Sequence, residues 1–344
     1  DAAGKGQLAY ANCNSNSAGK DFFETLPPDV KNAVLQTEVG RDIWTHRNRP
    51  VNLAKAAELQ REIANYLHHV ITDTTGLHYC DTRAEKILID PDAPSAGAKV
   101  LDSEGHVIVQ GVRNLILALG GRQKFDDGLQ PYQEKVVLSD AVLRTRAELE
   151  AVLAHDNIVI QGGSHSAFSV AHAVLQRNPE QRLTICHRSP VKSYYPSHEA
   201  ATAANYTLTE EDIIDPKNGA VNRYCGIRHD ALAAYKAIQS GTHPRAQLLR
   251  TGAEATQVLE EADAIIQAYG YVPNSIAIVD ADGNALRQGD WIVDPVTYRL
   301  QGFDPRIADA VKIYTKAIGT SLDRISVNHN QGPAADDILK QIVP

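Results

Sequence analysis

The sequence predicts an α/β protein in which one parallel-sheet domain interrupts another, and three observations carry that expectation. Ile158-Val159-Ile160 runs into Gly162-Gly163-Ser164, and Ser166 to Gln176 follows as a stretch rich in Ala, Val and Leu. That is a strand, a tight turn and a helix. Leu183-Thr184-Ile185-Cys186 comes next, after the helix-stopping Asn178-Pro179, which completes a βαβ unit. Finally, the apolar runs Leu115–Leu119 and Ala264–Tyr269 end at Gly120-Gly121 and at Gly270, one on each side of that unit. Continuous apolar runs of this kind suit buried parallel strands.

Taken in order, residues 1–30 are polar and rich in small residues, and read as loop. Within them Gly4-Lys5-Gly6-Gln7-Leu8-Ala9 fits Gly-x-Gly-x-x-Ala, but no strand precedes it, which weakens a phosphate-binding reading. A helical patch near Asp29–Thr37 precedes a long amphipathic helix over Asn52–Ile71, where Leu53, Ala56, Leu59, Ile63, Leu67 and Val70 recur at helical spacing. Strands are expected over Thr82–Ile89, Ala98–Asp102, Gly105–Gln110 and Asn114–Leu119, with a hairpin at Ser103-Glu104-Gly105. Val136–Asp140 and a helix at Thr145–Ala154 lead into the central unit. Ser189–Asn222 is a long irregular stretch, a kind of segment that is usually functional or disordered. Beyond it come a helix at Asp230–Gln239, strands at Ala246–Leu249, Ala264–Tyr271, Ile276–Val279, Trp291–Asp294 and Tyr298–Gly302, and helices at Ile307–Ala317 and Ala334–Ile342.

Composition narrows the function. The 344 residues carry 34 Lys and Arg against 42 Asp and Glu, a net charge of −8, with no basic run of the kind a nucleic-acid-binding face needs. Cys13, Cys80, Cys186 and Cys225 show no metal-binding or redox spacing, which suits a reduced, cytoplasmic setting. Neither a signal peptide nor an apolar run of about 18 residues is present, so no membrane span is expected. Methionine is absent altogether, initiator included, which raises the expectation of a gene product longer than this chain.

The chemistry concentrates at Gly162-Gly163-Ser164-His165-Ser166-Ala167. The first glycine allows the turn, a small third residue lets a phosphate approach the backbone, and Ala167 permits close helix packing. The amides at the helix N-terminus would face a dinucleotide pyrophosphate. Where the second strand ends, His187-Arg188 stands in place of the acidic residue that favours NAD, and a cation there suits the 2′-phosphate of NADP. The plain alternative is a solvated Arg after a strand. His165, a lone histidine at the helix start, reads as a positioning residue. Arg223 and Arg228 could clamp a carboxylate or phosphate, or equally hold a loop together. Cys186 and Cys225 read as packing residues. Gly162-Gly163-Ser164-His165-Ser166 also misses the hydrolase pattern Gly-x-Ser-x-Gly only at its last position. A serine hydrolase using Ser164 would need partners such as Asp309 and His329.

Val159-Ile-Gln-Gly-Gly-Ser-His-Ser-Ala-Phe-Ser169 with His187-Arg188-Ser189, Ile116-Leu-Ala-Leu-Gly-Gly121 before and Ile265-Ile-Gln-Ala-Tyr-Gly-Tyr-Val-Pro-Asn274 after, resembles the flavoproteins with two dinucleotide-binding domains. It is most similar to the FAD- and NADPH-dependent monooxygenases, including the N-hydroxylating ones. The resemblance covers residues 110–280 well and the flanks loosely. It implies a Rossmann-like FAD-type domain, residues 1–140 and 271–344, with an inserted NADPH-binding Rossmann-like domain at 141–270. The chain crosses between them at Gly120-Gly121 and Gly270, and the NADPH phosphate turn falls on Gly162 to Ala167. The Gly-rich βαβ unit that opens the family's FAD domain is not visible, and Asn14, Ser15 and Asn16 match its flavin-proximal segment weakly. The implied activity is reduction of FAD by NADPH and oxygenation of a small nucleophilic substrate; a homo-oligomer is left open. A non-catalytic nucleotide- or partner-binding relative is the main alternative.

Overall fold

The computed structural model describes residues 10–315 except 25, 75, 78, 80–81, 217, 224, 287–291 and 295, together with 337–342. The chain forms two compact units, Asp1–Val70 with Gln123–Gly270, and Ile71–Arg122 with Tyr271–Pro344.

In the first unit, β1 (Asn14–Ala18) is followed by α1 (Pro28–Val34) and α2 (Glu38–Thr45), then by β2 (Pro50–Asn52), which pairs antiparallel with β1, and by α3 (Leu53–Thr72). Pro28 opens α1, where its missing N–H costs nothing. The Thr37 hydroxyl accepts the Gly40 amide at 3.1 Å and caps α2. The apolar stripe of α3 holds over its first half, where Ala56, Leu59 and Ile63 are buried against Phe22, Phe23 and Ile43, but Leu67 and Val70, expected on the same face, are exposed. The loop expected over residues 1–30 is instead partly regular. Its polar residues form β1 because β2 supplies the ladder and the Ser15 hydroxyl accepts the Val51 amide at 3.1 Å. The Gly4–Ala9 motif lies outside the described residues.

The second unit begins with β3 (Lys86–Leu88), β4 (Ala98–Leu101) and β5 (Val107–Val112), an antiparallel meander. The hairpin at Ser103–Gly105 forms as expected, with Asp102 accepting the Glu104 and His106 amides at 2.9 Å. β6 (Asn114–Leu117) and β7 (Gly121–Gln123) follow.

The chain then builds the sheet of the first unit. β8 (Val136–Leu138), α4 (Ser139–Arg144) and α5 (Arg146–Leu153) lead to β9 (Asn157–Gln161), α6 (His165–Arg177) and β10 (Arg182–His187). α7 (His198–Ala203), α8 (His229–Gln239), β11 (Ala246–Arg250), α9 (Ala253–Glu260) and β12 (Ala264–Gln267) complete it. The strand order is β11-β10-β9-β12-β8, every pair parallel. Ile158, Ile160, Leu183 and Ile185 are fully buried under α6, whose Phe168, Val170 and Val174 face them. The pairing of β8 with β12 places residue 140 inside this unit. Ser189–Asn222 is not featureless. It carries α7, bridges Ser193 to Ile227 and Tyr195 to Val221, and packs Tyr195, Ala201 and Val221 into a small core of its own.

The rest of the second unit is β13 (Tyr271–Pro273), paired with β7, then β14 (Ala277–Val279), α10 (Pro305–Ala310) and β15 (Lys312–Thr315). β14 runs parallel to β3, and β15 parallel to β6. Here the helix expected over Ile307–Ala317 is corrected: it stops at Ala310, and Lys312–Thr315 is a strand. Ile313 and Thr315 are β-branched, and the Thr315 hydroxyl donates to the Leu117 carbonyl at 3.0 Å. The apolar run at Leu115–Leu119 is parallel as expected, but buried only at Leu117; Ile116 is 51% exposed. The short strands expected at Trp291–Asp294 and Tyr298–Gly302 reduce to single bridges, Val293 to Leu300 and Arg299 to Tyr314. Of Ala334–Ile342, residues 337–342 are described and helical. Among the described residues no helix is long and apolar enough to cross a membrane.

Candidate functional site

In the five-stranded sheet, β9 and β10 are neighbours through α6, whereas β12 pairs on the other side of β9. The chain thus winds in opposite senses from the gap between β9 and β12, and open parallel sheets bind ligands at the carboxyl end of such a gap. Gly162 sits there with φ +137°, and its amide donates to the Cys186 carbonyl at 2.9 Å. A Cβ on Gly162 would lie 2.9 Å from the Ala268 carbonyl oxygen, and one on Gly163 2.7 Å from the Cβ of His187. Both glycines are therefore required by the turn itself.

Ser164 is exposed and caps α6 with extended backbone, without a side-chain hydrogen bond to the helix. The first-turn amides of a helix lack intrahelical partners, so the start of α6 at Ser164, His165, Ser166 and Ala167 has the form at which anions bind helices. Ala167 is fully buried, as close helix packing demands. His187 ends β10, and Arg188 stands exposed immediately after it.

His165 faces inward. Burial first, then the charges of Arg228 and His229, push its pKa down to about 4. It lines a small pocket with Asn14, His172, Arg228 and Asp230. Asn14 donates to Asp230 at 2.6 Å, while the Arg228 guanidinium stacks 3.8 Å over the Tyr194 ring and donates to the Arg223 carbonyl. The Nε of Arg228 is buried without a partner. Arg223 is held differently, by a 2.7 Å ion pair to the buried Asp215. Of the two alternatives for these arginines, the structural one holds for Arg223, paired with Asp215, while Arg228 forms a pocket wall. The hub of this loop is Asn222, which is fully buried with φ +51°. It donates to Asp212 at 2.6 Å and accepts the Ile213 amide at 3.0 Å. An asparagine in the left-handed region is a signal the sequence does not reveal on its own.

Gly270, with φ +86°, ends the β12 segment, and a Cβ there would come within 2.8 Å of the Lys124 carbonyl oxygen. The buried Gln267 holds that carbonyl at 2.8 Å and accepts the Asp126 amide at 3.0 Å. Gln123 donates to the carbonyls of Gln267 and Tyr269 at 2.6 and 2.8 Å. Gly120, with φ +67°, has open space where a Cβ would go. Gly121 opens β7. Among the described residues there is no group of acidic, His or Cys side chains able to hold a metal ion. The buried Cys186 thiol is pushed up to about 11 by desolvation, which suits packing rather than attack. Of the hydrolase partners, Asp309 lies on α10 in the second unit and His329 falls outside the described residues.

Residues 48–218 match the family model described as L-lysine 6-monooxygenase/L-ornithine 5-monooxygenase. No curated protein sequence matches the chain. Among solved structures, the reduced form of the ornithine hydroxylase of Pseudomonas aeruginosa is 14% identical, with 98% of this chain and 88% of that one covered at a TM-score of 0.62. The FAD-bound cadaverine monooxygenase of the desferrioxamine pathway of Erwinia amylovora is 14% identical over 98% and 85%, at 0.60. The ornithine N-hydroxylase of Kutzneria sp. 744, solved with reduced FAD, NADP+ and L-ornithine, is 15% identical over 97% and 88%, at 0.56. At such identities these structures share the fold. The shared fold is that of the two-dinucleotide-domain flavoproteins expected from the sequence, and the family match over residues 48–218 agrees with the monooxygenase resemblance noted there. The chain is thus similar, over residues 48–218, to the lysine 6-monooxygenase/ornithine 5-monooxygenase family and carries throughout the fold of flavoproteins with two dinucleotide-binding domains.

Proposed function

We propose that this chain hydroxylates the amino group of a small amine, consuming NADPH and oxygen through bound FAD. The overall balance is R–NH2 + O2 + NADPH + H+ giving R–NHOH + NADP+ + H2O. The observation that carries the reading is the Gly162 turn at the switch point of a five-stranded parallel sheet, beside the family match. The residues present fit NADPH. The Gly162–Ala167 cradle takes the pyrophosphate on the first-turn amides of α6, and Arg188 pairs with the 2′-phosphate. FAD is placed on the unit that holds β6 and β15, where Gly120 leaves room for a close approach. Bound NADPH supplies a hydride and bound FAD passes the reducing equivalents to oxygen; the chain binds, orients and excludes water. Arg228, with its buried unpartnered Nε in the pocket that His165 also lines, is the residue assigned to meet a substrate carboxylate. Arg223, committed to Asp215, keeps the loop in place.

The test is product analysis. Protein supplied with FAD and NADPH is incubated with diaminoalkanes, ornithine and lysine, and products are read by mass spectrometry. A gain of one oxygen on the amine is expected, matched to NADPH consumed; NADPH oxidation with every amine unchanged would contradict the proposal. Arg188→Ala should raise KM for NADPH about tenfold or more while leaving KM for NADH nearly unchanged. An equal effect on both would remove Arg188 from the 2′-phosphate site.

A further inference from the structure

The parallel register of the sheet brings a second cation to the carboxyl edge at which Arg188 follows β10. His187, the last residue of β10, is the Cα partner of Arg250, the last residue of β11, and the Thr251 amide donates to the His187 carbonyl at 2.9 Å. Residues in register on adjacent strands send their side chains to the same face of a sheet. The face is known for His187: its Cβ lies 2.7 Å from where a Cβ on Gly163 would stand, so His187 projects on the side of the glycine turn. Arg250 therefore leaves the sheet on that side too. It is exposed, as is Arg188, and among the described residues neither takes part in an ion pair. Two exposed guanidinium groups without an ion-pair partner among the described residues, at the carboxyl ends of the adjacent strands β10 and β11, form an arrangement that a dianionic group completes.

We infer that Arg250 is a specificity-determining residue for the nicotinamide nucleotide, gripping the 2′-phosphate of NADPH from β11 while Arg188 grips it from the end of β10. This rests on the NADPH reading of the Gly162 turn and adds a residue from a strand that the βαβ motif does not include. An acidic residue after the second strand selects NAD through the ribose hydroxyl; here the selecting contact is split across two neighbouring strands.

The experiment is direct calorimetric titration of the FAD-supplemented protein with NADP+ and with NAD+, for the unmodified chain and for Arg250→Ala, Arg250→Lys and Arg188→Ala. Binding is the readout, so turnover is not needed. The expected result is that Arg250→Ala weakens NADP+ about ten- to a hundredfold and NAD+ by less than about twofold, with Arg250→Lys recovering part of the loss. Retained NAD+ binding shows that the variant is folded. An unchanged NADP+ affinity in Arg250→Ala, or an equal loss for both nucleotides, while the unmodified chain still prefers NADP+, would overturn the role of Arg250 and leave the cradle standing. No preference for NADP+ in the unmodified chain would overturn both.

Discussion

Gly162 shows how a single residue type is forced by its surroundings. At φ +137° an L side chain is strained, and the space is already taken by the Ala268 carbonyl. Gly162→Val is expected to cost about 2–4 kcal/mol by adding backbone strain to overpacking. Nucleotide binding should fall with it, as read by urea denaturation and by titration with NADP+. A variant as stable as the unmodified chain would contradict the described turn. His165 gives a pH-dependent counterpart. Burial and the charges of Arg228 and His229 hold its pKa near 4 in the folded chain, against about 6.5 when unfolded. Above pH 6.5 it is neutral in both states and contributes nothing. As pH falls from 6.5 to 4 the unfolded chain takes up a proton that the folded chain refuses, so stability drops by about 1–3 kcal/mol and the loss levels off below pH 4. His165→Gln should flatten that stretch of the stability profile, and an unaltered slope would show that His165 is not the group responsible. Ser164 is exposed at the helix cap, and the nucleotide-binding reading of the turn gives its hydroxyl no nucleophilic role. Ser164→Ala should change NADPH affinity and leave the amine product unaltered.

At the scale of elements, the segments that end at Gln123–Asp126 and Gln267–Gly270 are joined by side-chain amides. Gln267 is fully buried and bonds to the Lys124 carbonyl and the Asp126 amide, while Gln123 reaches the carbonyls of Gln267 and Tyr269. An apolar side chain at 267 would take these partners from the Lys124 carbonyl and the Asp126 amide, while Gln123 would still hold the carbonyls of residues 267 and 269. Gln267→Leu, close in size, is expected to destabilise the chain by about 2–4 kcal/mol, because unsatisfied buried groups carry the full desolvation penalty. A shift in the denaturation midpoint corresponding to less than about 0.5 kcal/mol would contradict that account. The same segments show what a glycine pattern conveys. Gly270 was legible as the end of a strand, but the reason it must be glycine, the Lys124 carbonyl 2.8 Å from its missing Cβ, comes from a segment well over a hundred positions away.

Across the whole molecule, what the sequence disclosed depended on how locally each element is specified. β9, β10 and β12 were legible because a strand buried on both faces needs a largely apolar run, and Ile158–Ile160, Leu183–Cys186 and Ala264–Ile266 supply one. α3 was legible from its stripe alone. β1 was not, since Asn14-Ser15-Asn16-Ser17 has no strand composition and acquires its conformation from β2 and from the Ser15 hydroxyl. β15 was mistaken for helix because Ile307, Ala310 and Val311 have helical spacing, while its strand partner β6 lies nearly two hundred residues upstream. At the proposed site, the glycine turn and Arg188 are the residues that the βαβ pattern alone singles out. Arg250 could not, because only the register between β10 and β11 sets it beside His187.

The central claim is that this chain binds FAD and reduces it with NADPH in order to hydroxylate an amine. It is tested most directly by loading the protein with FAD, removing unbound flavin by gel filtration and following the visible flavin absorbance anaerobically on addition of NADPH or NADH. Retained flavin that is bleached faster by NADPH than by NADH, and that yields the hydroxylated amine once oxygen and substrate are admitted, is the predicted result. A protein that elutes colourless, or whose flavin is bleached equally by both nucleotides without hydroxylated product, would contradict the account.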